Sequence, residues 1–262
     1  MRSTETDPHW VRSFAAQFAA CGVGRGTVAA ILSETQSRAA IVDASRLALA
    51  QLGASTFLVE LPTPEPTEIV PVRSTGASNA VQGLEPVIAA LANTEIVIDC
   101  TVEGMLHAPE LPRILSGGTR LFMVSNEHPE ILQRLGVDPD LERRVKAGVA
   151  RMKQAARMHV TSASGTDLHV ALGGCPGGGN WGYCTEPRTR SHWPGGLVAA
   201  FPNSGSVNGT LVFAPGDANL TFKRYFESAV TVQIENDYIT QIEGSGLDVH
   251  GKAAPDLFWS GF

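Results

Sequence analysis

Apolar positions change their spacing partway along the chain. Up to about residue 158, short β-branched runs alternate with segments whose apolar residues recur every three or four positions, the pattern of parallel strands joined by helices. The runs TVAAILSE (27–34), STFLVEL (55–61), EIVIDC (95–100) and RLFMVSN (120–126) predict strands. Between the first two, Ile41, Ala44, Leu47, Ala48 and Leu52 fall on a helical stripe that Gly53 ends, which makes a β-α-β unit. Further helices are predicted at about 79–92, from near Pro109, and from Asp138-Pro139-Asp140 to about Arg157. The last carries Leu141, Val145, Val149 and Met152 on one face. The proline-rich stretch 61–78 reads as a surface excursion, because repeated prolines remove donors that a central strand or helix needs.

From His159 the period shortens to two. HVTSASGTDLHVALGG, GLVAAFP, GTLVFAP, LTFKRY and AVTVQIENDYITQIEG alternate strands with turns, and Val230, Val232 and Ile234 face one way before a reversal at Asn236-Asp237. The predicted class is α/β: an N-terminal parallel α/β (Rossmann-like) domain over residues 1–158, followed by an antiparallel β-rich α+β segment over 159–262. The glycine-rich GGCPGGGN (173–180) lacks the Lys-Ser/Thr of a phosphate-binding loop and reads as a flexible connection. CGVGRGT (21–27) precedes a strand instead of following one, so it is no dinucleotide fingerprint.

Composition narrows the partners. With 262 residues, 43% of them apolar and 18% charged, the chain can bury a substantial core. A net charge of −6 with no dense basic cluster excludes tracking of nucleic-acid phosphates. No apolar run reaches bilayer length and the start lacks the layout of a secretory signal, so no membrane association and a cytoplasmic location are expected. Cys21, Cys100, Cys175 and Cys184 form no C-x-x-C and read as free thiols; Cys175 and Cys184, in one glycine-rich region, are the pair that could approach.

Three places carry candidate chemistry. His107, with Leu106, lies just beyond the third predicted strand, where open parallel sheets bind ligands. Asp167 and His169 share the polar face of a predicted strand, a pattern equally that of a solvent-facing edge. The stretch NWGYCTEPRTRSHWPGG (180–196) sets Glu186 and His192 among Trp181, Tyr183 and Trp193. It reads either as a pocket wall for a flat ring or as a loop whose aromatics pack structurally. His9, His128, His159 and His250 have no partner at ligand spacing, and neither a nucleophile elbow nor a zinc helix is present.

MLHAPE (105–110), HVTSASGTDLH (159–169), YCTEPRTRSHWPGG (183–196) and GTLVF (209–213), in this order and spacing, resemble the 2,5-dihydroxypyridine 5,6-dioxygenases. These ring-opening enzymes of nicotinate and nicotine degradation share a fold with the aminopeptidase T metallopeptidases, and the resemblance runs from about Trp10 to Gly244. It implies a small hydroxylated aromatic N-heterocycle as ligand, with O₂ beside it when iron is bound. It implies His107 as the acid/base, Glu186 and His192 on the ring's polar edge, and Leu106 on its face. It also implies one Fe(II) held by two histidines and an aspartate, in a C-terminal part that follows Phe262; Asp248 and His250 are not in those motifs, and the metal ligands of this chain stay unknown.

Two rival readings accompany it. An aminopeptidase T-like metallohydrolase is disfavoured because Leu197 stands where the peptidases carry a metal-binding glutamate. A non-catalytic ligand-binding or assembly relative would have kept the pocket and lost the iron. A β segment incomplete relative to the family would leave apolar surface open, so a homo-oligomer or a complementing chain is expected.

Overall fold

The computed structural model describes residues 6–65, 76–219 and 224–244. In chain order the helices are α1 (Pro8–Ala20), α2 (Ala39–Gln51), α3 (Glu85–Ala92), α4 (Leu111–Leu115), α5 (Pro129–Gln133) and α6 (Leu141–Gln154). The strands of the first half are β1 (Val28–Glu34), β2 (Ser55–Leu61), β3 (Ile96–Asp99) and β4 (Arg120–Val124). They are followed by β5 (Arg157–Thr161), β6 (Asp167–Ala171), β7 (Gly177–Asn180), β8 (Arg190–Trp193), β9 (Leu197–Ala200) and β10 (Val207–Phe213). The last are β11 (Ala218–Asn219), β12 (Arg224–Tyr225), β13 (Val230–Glu235) and β14 (Tyr238–Glu243).

Two compact units result, each α/β or β in the sense the periodicity predicts. The first takes described residues 6–65, 76–142 and 180–197, and the second takes 143–179, 198–219 and 224–244. The division therefore differs from a single boundary at residue 158. Residues 180–197 return to the first unit because β8 adds to its sheet, pairing parallel to β4 with Met123 opposite His192.

The first unit is built on a parallel sheet ordered β2-β1-β3-β4-β8. β1, β3 and β4 are buried on both faces, which is why they read as near-continuous apolar runs. Ile31, Ile96, Ile98 and Phe122 pack with Phe14 and Phe18 of α1 and Ile41 and Leu49 of α2. Ala30, Leu32, Val97 and Leu121 pack on the opposite face with Ile88 and Leu91 of α3 and Leu111 and Ile114 of α4. The chain steps from β1 outward to β2, then returns past β1 to β3, so the strand order reverses between β1 and β3. In open α/β sheets the crevice at the carboxyl ends of such a pair is where ligands bind.

The second unit carries an antiparallel sheet ordered β14-β13-β10-β6-β5, with β7 and β9 forming a separate pair. Val230, Val232 and Ile234 are buried with Phe226, as their alternation predicts. Asn236 and Asp237 both adopt positive φ, 50° and 74°, the conformation a two-residue hairpin turn demands. Asp237 also accepts from Val207 N at 2.7 Å, fixing the hairpin against β10.

Several elements differ from expectation, α5 among them. Gly177–Asn180 is a strand and not a loose connection, because its backbone lies against β9, where a side chain on Gly177 would stand 3.0 Å from Ala199 O. Arg190–Trp193 is a strand inside a stretch read as loop. Helix α1, capped by Asp7 accepting from His9 N at 2.7 Å, precedes every element the pattern marked. The run LTFKRY falls largely outside the described residues, as do Asp248 and His250; only its end, β12, is described.

Candidate functional site

At the β1–β3 switch point a buried carboxylate shapes the loop that presents His107. Asp99, the last residue of β3, is fully enclosed. One of its oxygens accepts from Thr101 N at 3.0 Å and Thr101 Oγ1 at 2.7 Å, and the other accepts from Met105 N at 2.6 Å. Thr101 Oγ1 in turn accepts from Gly104 N at 3.1 Å. Burial pushes the Asp99 carboxyl up to about 6, outweighing these hydrogen bonds, and the neighbouring Glu34 adds to the rise. The tight turn brings Gly104, at φ 86°, so close to Met123 that a side chain there would overlap the thioether.

The turn delivers Leu106 and His107 to the crevice. Leu106 is half-buried against the α3–α4 side of the core, whereas His107 is exposed. His107 N donates to Gly76 O at 2.7 Å, and a side chain on Gly76 would stand 3.2 Å from His107 Cδ2. Next to Gly76, Ser78 donates to Glu34 Oε1 at 2.7 Å, and its N–H donates to Gly104 O at 2.8 Å. The segment between β2 and α3 is thus tied both to the end of β1 and to the loop after β3 that carries the imidazole.

His192 approaches from β8. Asn180 clamps its strand: Nδ2 donates to His192 O at 2.9 Å, while Oδ1 accepts from His192 N at 3.3 Å and from Ser191 Oγ. Burial lowers the His192 pKa, a hydrogen bond to the Pro194 carbonyl opposes this, and charge on His107 lowers it further. Register places the two at the same end of the sheet: Asp99, the last residue of β3, stands opposite Met123, and Met123 opposite His192, so His192 is level with the strand end beyond which His107 lies. An exposed imidazole and a half-buried one with a lowered pKa are the groups that this end of the sheet offers for proton transfer and hydrogen bonding.

Glu186 does not join them. Arg188 N donates to Gly118 O, and Thr189 O accepts from Leu121 N, so residues 186–189 lie at the amino-terminal end of β4. His107 follows the carboxyl end of β3. β8 starts only after Glu186 and carries His192 as its third residue, so Glu186 is exposed at the amino-terminal end of the sheet while His192 lies toward the carboxyl end. The aromatics of the same stretch are largely structural. Trp193 is fully buried, edge-on to Phe14 at 4.9 Å, and donates from Nε1 to Leu135 O at 2.6 Å. Tyr183 donates to Glu142 at 2.5 Å, and Trp181 meets the Tyr183 ring edge. All four cysteines are free, and Cys184 lies beside Cys21 in the first unit, whereas Cys175 belongs to the second.

Sequence reasoning missed Asp99 and Asn180. An Asp followed two residues later by Thr at a strand end is a turn signal that could have marked the first. It also left His159 without a partner, whereas His159 Nε2 lies 2.7 Å from Asp167 Oδ1. Among the described residues, His159, Asp167 and His169 are the group whose ligand atoms converge closely enough to hold a metal ion. No such three-ligand set stands at His107 and His192 among the described residues. The side chains present at that crevice do not fit an iron ion held by two histidines and an aspartate.

Comparison with known proteins agrees with this architecture. The family model for 2,5-dihydroxypyridine 5,6-dioxygenase matches residues 9–252. A 2,5-dihydroxypyridine 5,6-dioxygenase of Pseudomonas putida KT2440 is 36% identical over 217 residues, which span 82% of this chain and 61% of that protein. The chain thus matches about three-fifths of the length of this curated relative. The solved structure of the dioxygenase from Pseudomonas putida KT2440 superposes with a TM-score of 0.81 at 34% identity, covering 90% of this chain and 68% of that one. AmpT from Thermus thermophilus, at 15% identity and a TM-score of 0.54 over 90% of this chain and 71% of its own, shares the fold. By the extent of these matches, the chain belongs to the 2,5-dihydroxypyridine 5,6-dioxygenase family.

Proposed function

We propose that this chain acts in oxidative opening of a hydroxylated pyridine ring, with 2,5-dihydroxypyridine as the type substrate. The observation that carries the reading is the register Asp99–Met123–His192, which sets His192 level with the carboxyl end of β3, beyond which exposed His107 lies, in a chain of this family. The reaction splits the C5–C6 bond and adds one oxygen atom of O₂ to each carbon. C5, which bears a hydroxyl, becomes a carboxyl carbon and C6 becomes a formyl carbon on nitrogen; O₂ is the sole oxidant and the atoms balance. His107 takes the proton of the ring hydroxyl, which makes the ring electron-rich, and returns it as the product forms. His192, kept uncharged, hydrogen-bonds the ring's polar edge, and Leu106 covers its face. Glu186 has no part in this arrangement.

Membership of a dioxygenase family implies a metal cofactor. Fe(II), the ion the resemblance implies, finds no ligand set beside His107 among the described residues, and no step is assigned through it. A second copy or a complementing chain belongs to the same proposal, supported by Met158 and Val160, which are 44% and 38% exposed on edge strand β5. Among the described residues no helix is long and apolar enough to cross a membrane.

The test is simultaneous measurement of ring absorbance and O₂ uptake with 2,5-dihydroxypyridine after anaerobic Fe(II) addition, beside calorimetric titration of the same compound. The reading expects binding that weakens in His107→Ala and His192→Ala, and one O₂ consumed per ring opened wherever turnover occurs. A folded chain that neither binds nor opens the ring overturns it. Sedimentation at several concentrations checks the assembly, and a strict monomer at every concentration removes the second-copy part.

A further inference from the structure

The β5–β6 hairpin gathers three side chains with the chemistry of a metal site. In its antiparallel register His159 stands directly opposite His169, and Thr161 opposite Asp167. Asp167 and His169 are two residues apart on one strand, so all three side chains leave the same face. His159 Nε2 lies 2.7 Å from Asp167 Oδ1, and His169 Nε2 lies 3.3 Å from the same oxygen. The two imidazoles stack with centroids 4.1 Å apart at an interplanar angle of 14°. One ligand atom from each residue lies within 4.8 Å of the other two.

We propose that His159, Asp167 and His169 bind one divalent transition-metal ion of the Zn²⁺ type. At metal–nitrogen distances of about 2.0–2.1 Å, tetrahedral geometry separates neighbouring ligand atoms by roughly 3.3–3.4 Å. The two nitrogen–oxygen separations, 2.7 and 3.3 Å, lie at or just below that spacing and all three atoms fall within 4.8 Å of one another, a range that side-chain rotation alone can adjust. The ion does need one imidazole to rotate out of the parallel stack, so that both nitrogen lone pairs point at a common centre. The side chains are 49%, 64% and 62% exposed, which leaves them free to turn and leaves the ion an open path. Two imidazoles and one carboxylate suit a borderline-soft ion better than Mg²⁺ or Ca²⁺, which favour all-oxygen shells. Three protein ligands leave a fourth position for water or for a group from another molecule.

The consequence for the fold is local. β5 is the edge of its sheet and every residue of it is exposed, so the strand is held mainly by its ladder to β6. An ion bridging His159 to Asp167 and His169 fastens that edge. The inference is independent of the reading of the His107–His192 crevice, lies wholly within the second unit, and assigns the ion no part in ring opening.

The experiment is titration of the metal-free full chain with Zn²⁺ against a chromophoric chelator, repeated with Co²⁺, whose visible absorption reports coordination geometry. One ion per chain is expected, with affinity falling roughly tenfold or more in each of His159→Ala, His169→Ala and Asp167→Asn. His9→Ala, His128→Ala and His250→Ala should leave it unchanged. Circular dichroism confirms that the variants fold, as substitution of exposed residues predicts. Failure to bind at micromolar Zn²⁺, or binding that survives the three hairpin substitutions and is lost in the control histidines, overturns the proposal in favour of a metal-free His–Asp–His hydrogen-bonded cluster.

Discussion

Replacing Asp99 by Asn changes the pH dependence of folding stability in a direction that separates a buried carboxylate from an ion-paired one. Burial raises the Asp99 carboxyl from its ordinary 3.8 to about 6 in the folded chain. The folded state therefore holds this proton more tightly than the unfolded state. The stabilising contribution of the protonated group is fully present below about pH 3.8 and is lost as pH rises through about 6. The whole gap corresponds to about 3 kcal/mol, of which about 2 kcal/mol falls between about pH 4.5 and 7.5. Asn cannot titrate, and its amide cannot accept from both Thr101 N and Met105 N as the carboxylate does, which adds a pH-independent loss of about 1–3 kcal/mol. Urea unfolding of the two proteins at both pH values measures the difference. The advantage of the native chain over Asp99→Asn should shrink by about 2 kcal/mol from the acid to the neutral condition. An advantage that stays constant, or grows with pH, would refute burial as the dominant influence on Asp99.

His107→Ala should leave the melting temperature nearly unchanged, within about 0.5 kcal/mol of stability, since the residue is exposed; a core-sized drop by calorimetry would make His107 structural. Trp193→Ala should cost about 3–5 kcal/mol in denaturant unfolding, because the indole is fully buried against Phe14 and bonded to Leu135. Gly104→Ala should destabilise the chain and weaken ring binding together, because a side chain there overlaps Met123 and strains a positive-φ turn. His192 should titrate below 6.5 by histidine NMR, and its pKa should rise in His107→Ala, which removes a neighbouring charge.

Much of the first unit is legible in the sequence because strands buried on both faces must be apolar throughout, as in 28–34, 96–99 and 120–124. β8 is not legible, because Arg190-Ser191-His192-Trp193 is short, has no β-branched residue and sits between prolines. That omission explains the misplacement of Glu186. Six residues from His192 in sequence looks close, but the chain enters the sheet at Arg190, and an extended strand advancing about 3.3 Å per residue moves His192 away from the end where Glu186 lies. The position of His107 beyond the end of β3 was legible from its place after a predicted strand. Asp99 was not, since its influence arises from enclosure that three neighbouring segments create. The His159–His169 pair depends on cross-strand register, which the intervening turn sets and residue spacing does not reveal.

The central claim is that one hydroxypyridine ring sits against His107 and His192. Histidine side-chain NMR on the full chain, titrated anaerobically with 2,5-dihydroxypyridine, tests it directly. The account predicts saturable shifts of the His107 and His192 ring resonances at one common affinity, with those of His159 and His169 unmoved. Saturable binding that leaves both His107 and His192 unshifted would contradict it.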